Sequence, residues 1–303
     1  MIRYVVKRVI LSIFTVVVVS AVTFFAMNMV PGGPFNGEKA LSDQVIAELN
    51  ARYGLDQPVP IQYINYMTKL VQGDMGVSLK TGRSVTDTIL DGFAISLQLG
   101  LIAAAVAVVI GVILGSVAAL NRNKLPDRLI IFFSTLATAV PGFVLATLLL
   151  LVFCIQLGWV DAWSANSQNY VLPVISLALY PMAYIARLTK TSMLDALNQD
   201  YVRTARAKGV ANWKTVFKHA LRNALIPVVT YVGPMVASII MGSMVVESVF
   251  TIGGLGSKFV NCIINRDYTL IMGMTIFLAV IMVTANLITD IVYKWIDPRI
   301  SFD

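Results

Sequence analysis

The chain has 303 residues, of which 57% are hydrophobic and 13% charged, and its formal net charge is +7. This composition lies outside the usual range of soluble domains and is typical of an integral membrane protein. Nucleic-acid binding would need the positive charge on a soluble face together with stacking aromatics, so we expect no nucleic-acid partner.

Six apolar stretches are each long enough to cross a bilayer core of roughly 30 Å as a helix. They lie at residues 9–30, 95–120, 129–156, 170–188, 228–250 and 269–293. None of them shows the alternating pattern of a barrel strand. The sequence therefore predicts an all-α membrane protein in which residues 1–303 form one domain with six transmembrane helices.

The first stretch follows Arg3, Lys7 and Arg8, as the apolar region of a secretory signal would. It is longer than a usual signal, however, and no small-x-small cleavage site follows it. We therefore expect a retained helix.

The lysine and arginine distribution predicts the orientation of these spans. If the N-terminus is cytoplasmic, 16 of the 23 basic residues lie in cytoplasmic segments, and eight of those lie between Arg187 and Arg222. The segment between the third and fourth spans has none, and the one between the fifth and sixth has Lys258 and Arg266. The positive-inside rule then predicts an N-in, C-in topology.

An external segment of soluble composition, residues 31–94, separates the first two spans. We expect one helix capped by Ser42 or Asp43 that ends near Tyr53, and a second over residues 58–71 that ends at Gly73. The segment is too small for a catalytic domain with its own deep core. It is interpreted as a cap over the membrane domain or a contact surface for an external partner, with a solvated spacer as the alternative.

Small residues and prolines within the spans suit helices that move against one another, although static packing explains them as well. Gly111 and Gly115 lie on one face of the second span. Prolines in the third and fourth spans predict a break or a bend. These positions are Pro141–Gly142, Pro173 and Pro181, and the fifth span has a small-residue face at Pro234, Ser238 and Gly242.

The two cysteines and the single histidine do not indicate a metal or catalytic site. Cys154 lies within the third span and Cys262 in an external loop, so we expect free packing residues. His219 has no carboxylate partner nearby in sequence, which favours a surface or interface role.

A polar, strongly basic loop at residues 189–227 separates the fourth and fifth spans. Asn198 or Asp200 can cap a short helix that runs through Lys208 and stops at Gly209. Asn212 can cap a second helix with an apolar stripe, and an interfacial helix on anionic lipid is its alternative interpretation. The stripe comprises Trp213, Val216, Phe217, Ala220, Leu221, Ala224 and Leu225.

No phosphate-binding loop of the form G-x-x-x-x-G-K-[ST] occurs in the sequence. If ATP drives a transport step, another chain must therefore bind it. Within the spans the only acidic residues are Glu247 and Asp290, both near a span end, which argues weakly against a carrier coupled to protons or sodium.

The basic loop resembles the EAA loop of permease subunits of bacterial ABC importers, which reads E-A-A-x-x-x-G and, nine residues later, I-x-L-P. Gly209 matches the glycine and Ala205 the second alanine, whereas Arg203 and Thr204 replace the glutamate and the first alanine. The residues His219, Ala220, Leu221 and Arg222 stand where I-x-L-P is expected. These departures match the peptide-permease branch, which reads close to R-T-A-R-A-K-G and H-A-L-R-N-A-L-I-P.

Further motifs in the same order extend the resemblance over nearly the whole chain. Together they resemble the B-type permease subunit of an oligopeptide importer. They are the R-Y-x-x-K-R start, Pro31 to Phe35, Tyr53 to Leu55 with Pro58, Gly73 to Ser78, Gly242 to Phe250, Gly253 to Gly256, Asn265 to Tyr268, and Asp297 to Arg299.

The resemblance implies the type I ABC importer permease fold in a bacterial cytoplasmic membrane and a non-enzymatic transport subunit. Its implied partners are a homologous second permease, two ATP-binding subunits, an extracytoplasmic peptide-binding protein and membrane lipid. ATP and Mg²⁺ are bound by the ATPase subunits, so this chain binds no cofactor or metal.

The resemblance also implies two groups of interface residues. The coupling loop would contact the ATPases through Tyr201, Arg203, Thr204, Ala205, Arg206, Ala207, Lys208, Gly209 and His219. An external gate that contacts the binding protein would contain Glu247, Phe250, Gly253, Gly254, Leu255 and Gly256.

The solute remains open between oligopeptides, dipeptides, glutathione and nickel chelates, which relatives of similar sequence import by the same mechanism. Two alternatives from other classes are an ATP-independent channel or secondary carrier, and a membrane scaffold whose basic loop recruits a cytosolic protein.

Overall fold

The computed structural model describes residues 2–35 and 42–296, and within these ranges it is helical, with a single isolated β-bridge between Val77 and Ser84. The predicted motif at Asp297 to Arg299 and the predicted external residue Lys39 lie outside the described residues. The first three helices are α1 (Ile2–Met29), α2 (Asp43–Tyr53) and α3 (Val59–Val71). The expected ends of α2 and α3 are confirmed, since Gly54 and Gly73 follow them with positive φ angles.

Five helical segments are long and apolar enough to cross a membrane, and a bent helix pair raises this number to six if it counts as one span. The bent pair consists of α5 (Leu125–Ala139) and α6 (Gly142–Leu149), which continues as a π-helical segment, Leu150–Gln156. The helix direction bends by 103° between the two arms, at the Pro141–Gly142 break that the sequence predicts. The single-span segments are α1, α4 (Val85–Leu120), α7 (Val171–Leu197), α11 (Ile226–Ile240) continued by α12 (Met244–Val249), and α14 (Tyr268–Ile296).

Three span predictions need correction. The second spanning helix, α4, begins ten residues before the expected residue 95, and the fourth, α7, continues nine residues past the expected residue 188. Both differences arise because polar residues beyond the apolar stretch remain helical. The fifth span is interrupted after Ile240, where Gly242 adopts a φ of 89°, a conformation that glycine tolerates best. The sequence did not predict this break because apolar residues continue on both sides of it.

The centre of the fold is the contact between α4 and α7. Gly111 and Gly115 allow it, since a Cβ atom at Gly111 would lie 2.8 Å from Ile185 Cγ2 and one at Gly115 only 2.4 Å from the Ala186 carbonyl oxygen. The expected close approach of another helix at these two glycines is thus confirmed. The helix α7 is continuous through Pro181.

Buried hydrogen bonds fasten the segment between α1 and α4 to the bundle. Asp267, just before α14, accepts hydrogen bonds from the Ser78 hydroxyl and, at 3.1 Å, from the Leu79 N–H. On the other side of the segment, Ser20 of α1 and the Tyr63 hydroxyl of α3 are 2.9 Å apart. The segment is therefore attached both to α1 and to the residue that precedes α14.

Candidate functional site

The basic loop between α7 and α11 begins with a short helix, α8 (Asp200–Ala207). The predicted helix is confirmed, but its N-cap is Gln199 and not Asn198 or Asp200, and Lys208 is its C-cap. Gly209 follows with a φ of 72°, and nothing lies within 4 Å of a Cβ atom built there. The glycine is thus explained by its backbone conformation, and the surface around it is open.

Two side chains attach α8 to the bundle, Val202 and Ala205, which are 0% and 8% exposed. Val202 belongs to a buried cluster, here called the α8 anchor, whose other members come from the C-terminal ends of α4 and α7 and from the helix after α8. The α8 anchor consists of Ala119, Met193, Ala196, Val202, Val216, Ala220 and Ala224.

The other predicted coupling residues of α8 form an exposed face of the chain. These are Tyr201, Arg203, Thr204, Arg206, Ala207, Lys208 and Gly209. Ala205 is the exception and a correction, because it packs inward and holds the helix in place. The i,i+3 pair Arg203 and Asp200, 3.7 Å apart, is highly exposed and so contributes little to stability.

The second helix of the loop consists of α9 (Asn212–Lys214), a π-helical segment (Thr215–Leu221) and α10 (Arg222–Ala224). Its N-cap is Ala211, one residue before the expected Asn212. The π-helical turn contains an extra residue and shifts the apolar stripe. As a result Val216 and Ala220 are buried, whereas Trp213 and Phe217 are 63% and 57% exposed.

The exposed surface of this second helix is basic and aromatic. Lys214, Lys218 and Arg222 are all exposed, and the Lys214 ammonium lies 5.5 Å from the centre of the Trp213 ring. His219 is half-buried within the π-helical turn, and its backbone carbonyl accepts a hydrogen bond from Asn223. Together with α8 this surface can bind an acidic partner, and its aromatic residues add apolar contact area.

A buried ion pair lies just behind the loop and joins α7 to the start of α5. Lys190 Nζ is 2.5 Å from Asp127 Oδ1, and the two side chains are 21% and 6% exposed. Asp127 Oδ2 also accepts a 2.9 Å hydrogen bond from the Asn123 N–H. The helix α7 thus connects the α8 anchor directly to the centre of the bundle.

The second predicted site, the segment from Gly242 to Gly256, folds around a buried carboxylate. Glu247 is 0% exposed, its Oε1 accepts a 2.6 Å hydrogen bond from the Ser96 hydroxyl, and its Oε2 accepts a 3.0 Å bond from the Ser257 N–H. Ser96 also accepts a 2.8 Å bond from the Leu255 N–H. This network, here called the Glu247 network, joins α4, α12 and the start of α13 (Leu255–Ile264).

Glycines make room for the Glu247 network. A Cβ atom at Gly254 would lie 2.6 Å from both the Glu247 carboxylate and the Ser96 hydroxyl, and one at Gly242 would lie 2.8 Å from Glu247 Oε1. The sequence indicated that Glu247 and these glycines belong to one motif. It gave no sign of Ser96, which is 151 residues away and only the fold brings close.

Most predicted gate residues are therefore not available for direct contact with a partner. Phe250 and Leu255 are 3% and 0% exposed, and Gly254 and Gly256 are buried, whereas Gly253 is half-buried. The exposed side chains of this segment are instead Met244, Val245, Ser248 and Thr251. The predicted residues determine the shape of the segment, and its outer surface comes from their neighbours.

The described part of the chain contains no group of three or more His, Cys, Asp or Glu side chains that could hold a metal ion. Both cysteines are free thiols. Cys262 is buried in α13, and burial raises its pKa to about 12. Its thiol therefore stays protonated and unreactive near neutral pH.

Two family descriptions together cover nearly all of the chain. Residues 107–302 match the family described as binding-protein-dependent transport system inner membrane component. Residues 1–100 match the N-terminal part of binding-protein-dependent transport system membrane components.

Curated relatives match over their whole length. The chain is 42% identical to the oligopeptide transport system permease protein OppB of Haemophilus influenzae, with 100% of each chain covered. It is 44% identical to the dipeptide transport system permease protein DppB of Bacillus subtilis, which covers 99% of this chain and 98% of that one.

Two solved structures share the fold at low sequence identity. A structure of the MetNI methionine ABC transporter matches 70% of this chain and 97% of that chain with a TM-score of 0.58 and 16% identity. An amino acid ABC transporter matches 71% and 95% with a TM-score of 0.54 and 17% identity. The helical architecture is thus that of ABC transporter permeases.

Proposed function

Because this chain belongs to the binding-protein-dependent transport system inner membrane components, and among them to the OppB and DppB permeases, we propose that it forms half of a peptide translocation pathway. It is a multi-pass membrane protein and the permease subunit of an ATP-driven ABC importer. Its solute is an oligopeptide or dipeptide. The observation that supports this most strongly is the 42–44% identity to peptide permeases over the full length of the chain.

The proposed topology has six spans, with the bent α5–α6 pair counted as one, and both termini in the cytoplasm. The positive-inside distribution of lysine and arginine supports it. The loop at residues 189–227 is then cytoplasmic, and residues 31–94 form an external cap.

The energy source lies on other chains. We propose that two ATPase subunits bind ATP and Mg²⁺ and that a homologous second permease completes the pathway. The absence of a phosphate-binding loop in the sequence supports this division, so the chain has no catalytic role of its own.

The helix α8 is proposed as the coupling helix that sits in a groove of an ATPase subunit. Its two-sided construction supports this role, because Val202 and Ala205 attach it to the bundle while the opposite face stays exposed. ATP-driven closure of the ATPases would move α8, and α7 would pass the movement to the α4 contact. Such a shift requires ATP to favour one of two states.

An extracytoplasmic peptide-binding protein is the proposed partner on the other side. It would contact the exposed residues next to the Glu247 network, such as Ser248 and Thr251, and the external cap. The buried members of the segment would keep this surface in shape.

The substitution Gly209→Arg tests the coupling assignment. A larger side chain at Gly209 meets no atom of this chain within 4 Å, so its cost to the fold is limited to about 1–2 kcal/mol for the positive φ angle. In the groove of a partner the same side chain would clash. We expect normal membrane insertion but loss of ATPase subunits on co-purification and loss of peptide uptake.

Gly73→Arg is the matched control, because Gly73 also has a positive φ angle, 85°, and nothing within 4 Å, but lies in the segment between α1 and α4. It should retain the ATPase subunits. Normal assembly and uptake by the Gly209→Arg protein would show that α8 is not the coupling helix.

A further inference from the structure

The spans of this chain expose two kinds of surface. Between Leu101 and Leu120, the exposed residues of α4 are all aliphatic, Ile113 among them, as expected for contact with lipid tails or another apolar helix. The neighbouring sides of α7 and α11 instead carry exposed or half-buried side chains with hydroxyl groups, together with one proline. This surface, here called the tyrosine face, consists of Tyr180, Tyr184, Thr230, Tyr231, Pro234 and Ser238.

Both helices contribute to one continuous surface. The rings of Tyr184 on α7 and Tyr231 on α11 are 4.4 Å apart between centroids and inclined at 33°. Tyr180, one turn away on α7, is 57% exposed. On α11, positions 230, 234 and 238 follow at intervals of four residues, so they line the same side of the helix.

The tyrosine face lies deep within the spans. Tyr180 and Tyr184 are roughly 14 and 20 Å along the axis of α7 from its first residue, Val171, at 1.5 Å per residue. Tyrosine is normally enriched at the membrane–water interfaces, and polar groups at mid-membrane usually face the bundle interior or a water-filled cavity. Contact with lipid therefore does not explain this surface.

One end of the tyrosine face is closed and the other is open. Toward the start of α7, Leu172 and Leu177 pack in a cluster with Val246 and Phe250 of the segment that contains the Glu247 network. Toward α8, the same side of α7 continues with the half-buried Arg187 and the exposed Thr191. The tyrosine face therefore begins next to the buried cluster at the N-terminal end of α7 and extends toward the coupling loop.

We propose that the tyrosine face is the wall that this chain contributes to the translocation pathway, and that its hydroxyl groups hydrogen-bond the backbone of a peptide in transit. This inference rests on the proposed function. A hydroxyl both donates and accepts, so the tyrosine and Ser238 hydroxyls can pair with the amide N–H and the carbonyl of any peptide. The Thr230 hydroxyl already donates to the Ile226 carbonyl, so we assign it no role as a donor. None of the six residues is charged, which suits peptides with varied side chains, and the aromatic rings add apolar contact to those side chains.

Thiol labelling tests whether water reaches this wall. The substitution Ser238→Cys changes little volume, and Ile113→Cys on the aliphatic side of α4 is its matched control. Both are made in the complete importer in membrane vesicles and treated with a charged thiol reagent with and without ATP. The unsubstituted complex gives the background, to which Cys262 contributes little because its pKa is about 12.

We expect the Ser238→Cys protein to react at least several-fold faster than the Ile113→Cys protein in one of the two nucleotide conditions, and transported peptide to slow the reaction. Equal, slow labelling of both variants in both conditions would mean that the second permease or lipid covers the tyrosine face, and would overturn the inference.

Peptide uptake tests the hydrogen bonds. The double substitution Tyr184→Phe with Tyr231→Phe removes two hydroxyls and keeps both rings. We expect the loss of two neutral hydrogen bonds to lower uptake at saturating loaded binding protein about five- to 140-fold, which corresponds to about 1–3 kcal/mol, with assembly and ATP hydrolysis retained. Tyr170→Phe, which removes a phenol oxygen just before the first residue of α7, should leave uptake unchanged.

Uptake by the double variant equal to that of the unsubstituted importer would refute the role of these hydroxyls. The unsubstituted importer could take up no peptide while the Ser238→Cys protein still reacts faster than the Ile113→Cys protein. This result would refute a peptide as the solute but would retain the assignment of the tyrosine face to the translocation pathway. The two proposals are thus separable.

Discussion

At the residue scale, Glu247 differs most from its interpretation in the sequence. The sequence places it near the end of a span, as one of two acidic residues within the spans, and the family resemblance implies that it belongs to an external gate. In the structure it is fully buried and accepts hydrogen bonds from Ser96 and Ser257. Local sequence could reveal the glycines around it because a turn needs them, but it could not reveal Ser96, since hydrogen-bond partners 151 residues apart depend on the packing of the whole bundle.

Removal of the Glu247 carboxylate should destabilise the protein. Glu247→Ala leaves the Ser96 hydroxyl and the Ser257 N–H without their acceptor, and an unsatisfied buried group costs about 1–3 kcal/mol. We expect a loss of roughly 2–4 kcal/mol in unfolding free energy and a lower melting temperature of the purified protein. Glu247→Gln retains one acceptor oxygen and should lose less.

Asp56→Ala is the control for this prediction, because Asp56 is an exposed acidic residue. The melting temperature of the Asp56→Ala protein should match that of the unsubstituted protein. An unchanged melting temperature in the Glu247→Ala protein would indicate that the network contributes nothing to the stability of the fold.

At the scale of elements, the sequence predicts helices better than their ends and irregularities. Apolar runs and helical periodicity are local, so α8 and the six spans are recognisable. The N-caps of the two loop helices each lie one residue from the predicted position, because several polar residues near a helix start can serve as the cap. The π-helical turn at Thr215–Leu221 was missed, since its extra residue has no local signature in an otherwise regular stripe.

The contact between α5 and α7 should depend on the Asp127–Lys190 ion pair. The side chains of Asp127 and Lys190 are 6% and 21% exposed, so the pair is neither a surface ion pair nor a fully buried one. A surface ion pair contributes up to about 1 kcal/mol, whereas loss of one partner from a fully buried pair costs about 3–5 kcal/mol. We expect Asp127→Ala to cost about 1–3 kcal/mol. The double substitution with Lys190→Ala should cost less than the sum of the single ones.

A double-mutant cycle on unfolding free energies measures this coupling, for which we expect about 1–2 kcal/mol. The control is a second cycle on Arg83 and Asp91, which are 3.1 Å apart but 62% and 56% exposed, and it should give less than about 0.5 kcal/mol. Equal coupling in both cycles would contradict the structural importance of the Asp127–Lys190 pair.

At the scale of the whole molecule, the chain is one part of an assembly. Its composition predicts a membrane bundle, and the basic loop predicts a partner, because both follow from local sequence. The tyrosine face was not predicted, since Tyr184 and Tyr231 lie in different spans and only packing brings their rings together.

Liposomes that contain only this chain should show neither peptide flux nor ATP hydrolysis above protein-free liposomes. In the proposed importer a second permease completes the pathway, and the sequence of this chain has no phosphate-binding loop. Uptake of radiolabelled peptide and phosphate release measure both activities, and the complete importer is the positive control. Flux through the chain alone would identify a channel or secondary carrier.

The construction of α8 separates attachment from recognition. Val202 fixes the helix in the α8 anchor, and the seven exposed predicted residues from Tyr201 to Gly209 touch nothing that the anchor needs. In the proposed role of α8 as a coupling helix, the surface that contacts an ATPase can therefore diverge during evolution while the bundle keeps its shape. On that proposal, a permease of this architecture can exchange its energy-supplying subunit for another through a few surface substitutions, without redesign of the path that the solute follows.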